Sequence, residues 1–291
     1  ILGIILARLL TPKDFGLIGL ISVFFSISAI FINSGLGMAY IRKEKVDDID
    51  ANTVFFINFF ISVIIYILLW FFAPVIASFY DQPILVGLTR VYGLIVIINA
   101  FRIIQDSQIR RELNFKKRTK FTVLSSIISG IAGITSAYYG MGVWSLVIQQ
   151  LLNSFILTFC LAITNAWKPS LSFSKDSMTN MFNFGSWVLF NGLMREIFRH
   201  IYVLIIGKFF PIAQAGFYTQ SRDYEKKIST GISMSVVEVS FPMLSKSQND
   251  IEKTKREFRK FLMHAMFVIV PFFTVLIAVS DSFVLLMLKE K

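Results

Sequence analysis

Residues 51–80 read ANTVFFINFFISVIIYILLWFFAPVIASFY, without one charged side chain. A helix rises about 1.5 Å per residue and a bilayer's hydrocarbon layer is about 30 Å thick, so roughly 20 such residues cross it. This stretch reads as a spanning helix. Upstream, Phe15 to Ile41 is equally free of charge, and downstream Gln82 to Ile104 carries only Arg90 and Arg102, near the ends of the run. Long basic side chains in such places snorkel to the interface. The uncharged run from Phe121 to Trp167 is too long for one helix, and Tyr138-Tyr139-Gly140-Met141-Gly142 divides it with turn chemistry. After a polar segment from Lys168 to Asp176 come a helix over about Asn180 to Gly207, a turn at Pro211, a helix over about Gly216 to Ser240, and a last span from Phe261 to Ser280. With residues 1–7 as the stub of a first helix, the chain reads as one stub and about eight spans: an all-α, polytopic integral membrane bundle.

Composition agrees. The 291 residues are 55% hydrophobic and 16% charged, with a mean hydropathy of +0.67, whereas soluble domains carry about 25% charged residues. The apolar residues lie in long blocks and not in the alternating runs of a barrel. The chain opens at Ile1 inside an apolar run and stops at Lys291, so both ends read as cuts in a longer protein. Cys160 is the single cysteine and has no partner for an internal disulfide.

Orientation follows from Lys and Arg in alternate connections. One side holds three in the first connection, six between Arg110 and Lys120, two at Lys168 and Lys175, and six from Lys246 to Lys260, which makes seventeen. The other holds six: Arg8, Lys13, Arg90, Lys208, Lys289 and Lys291. The basic side is read as cytoplasmic, and the net charge of +11 as a topology signal with an attraction to anionic membrane lipids, not to nucleic acid. Within Gln105 to Lys120, Ile109 and Leu113 stand one helical turn apart, so this connection is either a short interfacial helix or an ordinary loop.

An internal repeat is legible. Ile5-Leu6-Ala7-Arg8-Leu9-Leu10 resembles Ile205-Ile206-Gly207-Lys208-Phe209-Phe210, and Gly16 stands opposite Gly216 at the same offset of 200. An even number of helices separates the matching segments, which makes them parallel repeats about an axis along the membrane normal. The expected division is an N-terminal lobe at 1–166, a cytoplasmic linker at 167–176 and a partial C-terminal lobe at 177–291.

Ala7-Arg8-Leu9-Leu10-Thr11-Pro12-Lys13-Asp14-Phe15-Gly16 resembles the opening of Wzx-like polysaccharide flippases, members of the multidrug/oligosaccharidyl-lipid/polysaccharide exporter superfamily. Gln108 to Phe115 and Gly140-Met141-Gly142-Val143-Trp144-Ser145-Leu146-Val147 are similar to that family's loop and hairpin motifs, and Phe184-Gly185, Gly216-Phe217-Tyr218 and Phe241-Pro242-Met243 follow in family order. The resemblance implies two pseudo-symmetric lobes around a central cavity in the bacterial inner membrane. It implies translocation of an undecaprenyl-diphosphate-linked oligosaccharide by alternating access, with polysaccharide assembly proteins as further partners. A membrane polymerase or ligase acting on such lipids, or a cation-coupled drug exporter of the same superfamily, are the alternatives.

No phosphate-loop motif is present, and His200 and His264 have no metal-ligand spacing, so no cofactor and no catalysis are expected. The charges that need an explanation lie inside the two helices joined at Pro211. Arg195, Arg199, Arg222, Lys226 and Lys227 outnumber Glu196, Asp223 and Glu225 by two. Counting from Pro211, Arg199 is level with Asp223 and Glu196 with Lys226, so these are the expected pairs. Asn191, Arg195, Arg199 and Tyr202 form one polar stripe, and Tyr218, Arg222, Lys226 and Ser229 another. The candidate substrate-binding set is Asn191, Arg195, Glu196, Arg199, His200, Tyr218, Arg222 and Lys226. It is read either as the diphosphate site, with the guanidiniums as bidentate ligands, or as a salt-bridge network that joins the two helices.

Overall fold

The computed structural model describes residues 2–33, 36–43, 46–112, 115–165, 167–226, 251–280 and 282. Every regular element among them is an α-helix: α1 (Leu2–Leu9), α2 (Pro12–Asn33), α3 (Leu36–Arg42), α4 (Asp48–Phe79), α5 (Ile84–Tyr92), α6 (Leu94–Ala100), α7 (Ile103–Arg111), α8 (Phe115–Tyr138), α9 (Val143–Thr164), α10 (Lys175–Phe209), α11 (212–226) and α12 (Ile251–Ala278). Among the described residues four helices are long and apolar enough to cross a membrane, or five when the bent pair Ile84–Ala100 and Ile103–Arg111 counts as one span. The all-α membrane class is thereby met, and the turns fall at Asp81, Gly140 and Pro211 as the charge pattern predicts. Part of the expected helix from Gly216 to Ser240 lies outside the described residues.

Local chemistry sets the boundaries. Asp47 caps α4 in a reciprocal box with Asp50, which satisfies the first free backbone N–H groups. Gly140 and Gly142 take positive φ, +76° and +53°, in the α8–α9 turn, a backbone that a Cβ would strain. Ser174 caps α10 by accepting from the Ser177 amide. The connection from Gln105, read as a short interfacial helix or an ordinary loop, is helical as far as Arg111. α7 follows the segment Ile84–Ala100 after a 43° bend, and Ile109 is buried with Leu157 and Leu161; Leu113 lies outside the described residues.

The chain forms two compact units, Ile1–Phe217 and Tyr218–Lys291. In the first, α8 packs along α9, and α10 packs on α2 and α3. The repeat noted in the sequence reappears as a contact. A Cβ added at Gly16 would stand 2.2 Å from the Ile212 carbonyl oxygen, and one at Gly216 would stand 1.9 Å from the Pro12 carbonyl oxygen. Each glycine thus meets the backbone four residues before its counterpart, so the crossing is reciprocal, as a two-fold relation requires. At the same end Lys208 Nζ donates to the Phe79 carbonyl at 2.6 Å and lies 3.7 Å from Asp81 Oδ2.

At the opposite end a polar knot holds residues 167–174 against the start of α4. Asn52 Nδ2 donates to the hydroxyls of Ser170 and Ser172, both at 2.7 Å, and Ser174 N donates to Thr53 Oγ1 at 3.0 Å. Trp167 stacks edge-on to Phe55. Asp50, whose side chain is wholly buried, takes Lys43 at 2.6 Å.

Candidate functional site

The bend that separates α6 from α7 builds a polar cavity in the first unit. Helical geometry breaks at Phe101–Arg102, so α7 turns towards α3 and its face bearing Arg102, Asp106 and Arg110 looks into the space between α2, α3 and α10. Steps of four residues keep these three side chains on one face. The cavity encloses about 420 Å³, and Asn99, Ser107 and Arg195 complete its polar lining. Gly192 brings α10 close to α2 at this wall, with Ile30 Cγ2 only 3.0 Å from where its Cβ would be.

The electrostatics are one-sided. Asp106 accepts from Arg118 Nε at 2.9 Å and lies 3.6 Å from Arg102 Nε, so its charge is already matched. Arg102, Arg110 and Arg195 against Asp106 leave two positive charges in excess on the cavity wall. Asn99 Oδ1 is buried without a hydrogen-bond partner. A cavity with excess guanidinium charge and little carboxylate is suited to an anion with several oxygens, because each guanidinium offers a planar fork of N–H donors. On another face of α2, between it, α4 and Leu204 of α10, runs a separate apolar groove of about 610 Å³ lined by Phe24, Phe31, Leu68 and Phe72 among others.

The structure divides the residues singled out from sequence. Arg195 lines the cavity with Arg102 and Arg110. Glu196 does not line it; it is buried and pairs along its own helix with Arg199 at 3.1 Å and His200 at 3.0 Å. Asn191 donates to the Trp187 carbonyl at 2.9 Å. Tyr218, Arg222 and Lys226 lie on α11 in the second unit, one turn apart. Sequence reasoning missed Arg102, Asp106 and Arg110, because a basic residue at the end of a span reads as a snorkel or a topology signal. The four-residue spacing of an acid between two arginines was the signal that marks them.

The sequence profile of polysaccharide biosynthesis proteins matches residues 5–291. The chain belongs to that family. Among its relatives, the teichuronic acid biosynthesis protein TuaB of Bacillus subtilis is 24% identical over 90% of this chain and 55% of its own length. The lipopolysaccharide biosynthesis protein WzxC of Escherichia coli is 21% identical over 99% of this chain and 59% of its own length. The succinoglycan biosynthesis transport protein ExoT of Rhizobium meliloti is 21% identical over 86% of this chain and 50% of its own length. The chain therefore spans between half and three-fifths of these relatives. No solved structure is significantly similar to it. Family and apolar helices together make it a multi-pass membrane protein.

Proposed function

We propose that the chain forms the larger part of a flippase that carries an undecaprenyl-diphosphate-linked oligosaccharide from the cytoplasmic to the outer leaflet of the bacterial inner membrane, and that it is not an enzyme. The observation that carries this reading is the cavity with two excess guanidinium charges; an apolar groove lies on another face of α2. A lipid-linked diphosphate has the complementary form, an anionic head on an apolar chain. The relatives' names, one a lipopolysaccharide biosynthesis protein and one a transport protein for succinoglycan biosynthesis, support the same substrate class. In this reading Arg102, Arg110 and Arg195 hold the diphosphate oxygens. Arg199, Glu196, His200 and Asn191 of α10, and separately Arg222, Lys226 and Tyr218 of α11, remain the second part of the proposal.

Alternating access also belongs to the proposal. The lobes at 1–166 and 177–291, joined by the linker 167–176, would rock about the reciprocal crossing of Gly16 and Gly216, which supports a two-lobed design. The test is transport of a fluorescent lipid-linked sugar by the full-length protein in liposomes. Arg102→Gln with Arg195→Gln is expected to abolish flipping while the protein still purifies as a single species. Full transport by that double variant overturns the reading.

A further inference from the structure

Arg90 is left unexplained by the proposed transport site. It lies six residues beyond the start of α5 at Ile84, about 9 Å of helical rise, in the half of the membrane that the charge count assigns to the outside. A guanidinium at this depth needs a partner. Trp70 of α4 supplies one face, its ring centroid 4.6 Å from Arg90 Cζ. An indole face attracts the cation but accepts none of its five N–H groups. Arg90 Nε is buried without an acceptor, and no carboxylate pairs with Arg90 among the described residues. Asp81, the acid at the adjoining turn, faces Lys208 instead.

A groove opens beside this pair. Tyr66, Ile67, Trp70 and Phe71 line about 370 Å³ on one face of α4. Trp70 and Phe71 are 42% and 73% exposed, so the groove faces outward rather than into the core. The Tyr66 ring packs closely on Gly93, where a Cβ would stand 3.0 Å from it. Because α4 runs outward, Tyr66 and Ile67 lie deeper in the bilayer than Trp70, and the groove extends from the guanidinium towards the membrane interior.

We propose that Arg90, Trp70 and this groove form a binding site for an anionic phospholipid of the outer leaflet. Its phosphate accepts from the Arg90 guanidinium and one acyl chain lies along Tyr66, Ile67 and Phe71. A phosphate is the anion that the bilayer presents next to such a depth, and its oxygens match the guanidinium fork. A headgroup with net negative charge is preferred over a zwitterionic one, whose own ammonium competes with Arg90 for the phosphate.

Native mass spectrometry of the full-length protein, released from detergent after exchange into phosphatidylglycerol or phosphatidylcholine, tests this. The wild type is expected to retain one more phosphatidylglycerol than Arg90→Gln, with about a tenfold loss of affinity on removing one charge-assisted contact. Trp70→Leu, which keeps the charge, is expected to weaken retention less, and serves alone should Arg90→Gln fail to fold. Phosphatidylcholine retention is expected to be the same for all three. The inference is overturned if the variants retain phosphatidylglycerol like the wild type, if both phospholipids bind equally, or if undecaprenyl phosphate displaces phosphatidylglycerol at equal concentration.

Discussion

Adding one methyl group to Gly216 is expected to disrupt the crossing of α2 and α11 more than any other alanine scan position among the helical glycines named here. The added Cβ would stand 1.9 Å from the Pro12 carbonyl oxygen, 1.1 Å inside the 3.0 Å limit of real Cβ contacts, and the obstructing atom is backbone. At Gly16 the shortfall is 0.8 Å, again against backbone. Neither clash can be relieved by a rotamer, so two helices must separate, and overpacking of this kind costs about 1–3 kcal/mol. That is one to two decades in an equilibrium constant, roughly. Gly207 provides a contrast, since its Cβ would meet Leu20 Cδ2 at 2.1 Å, the mobile end of a side chain, and Gly207→Ala is expected to cost less. Gly3 has nothing within 4 Å, so Gly3→Ala is expected to be neutral or to gain the helix propensity of alanine, about 1 kcal/mol. Thermal unfolding of the full-length protein in detergent gives the order. Once one glycine has forced the helices apart the second fits, so the double variant Gly16→Ala with Gly216→Ala should cost less than the sum of the singles. Equal stability of Gly216→Ala and Gly3→Ala, or full additivity of the pair, refutes the crossing as described.

Two further outcomes rest on contacts around the start of α4, and a third on the distribution of Lys and Arg. Lys43→Met leaves the buried Asp50 carboxylate without its lysine and is expected to cost about 3 kcal/mol by chemical denaturation; Asp50→Asn should cost less, because the half-exposed Lys43 regains water. Asn52→Ala removes the bonds to Ser170 and Ser172, and trypsin added to inside-out vesicles should then cut at Lys168 or Lys175 about tenfold faster than in the wild type. Single cysteines at Lys117 and Lys255 should react in intact cells only with membrane-permeant thiol reagents, and one at Gln82 with impermeant ones; labelling of Lys117 from outside reverses the topology.

Charge-free length determined the membrane architecture from the sequence alone. Runs such as Ala51 to Tyr80 leave no aqueous alternative, and the turns at Asp81, Gly140 and Pro211 sit where polar or glycine-rich residues interrupt them. The offset of 200 between Gly16 and Gly216 was visible too, as a pattern without a contact. Tertiary structure decided the rest. Only the bend at Phe101–Arg102 turns Asp106 and two arginines into a cavity with Arg195, because residues 85 or more positions apart meet through packing that no local periodicity records. The structure also shows Glu196 in ion pairs with Arg199 and His200, one turn away on its own helix. A charge inside a span announces that it needs a partner; which partner it finds depends on how the helices are rotated against one another, and that is set by the close approaches at a few glycines and by the shapes of the side chains around them.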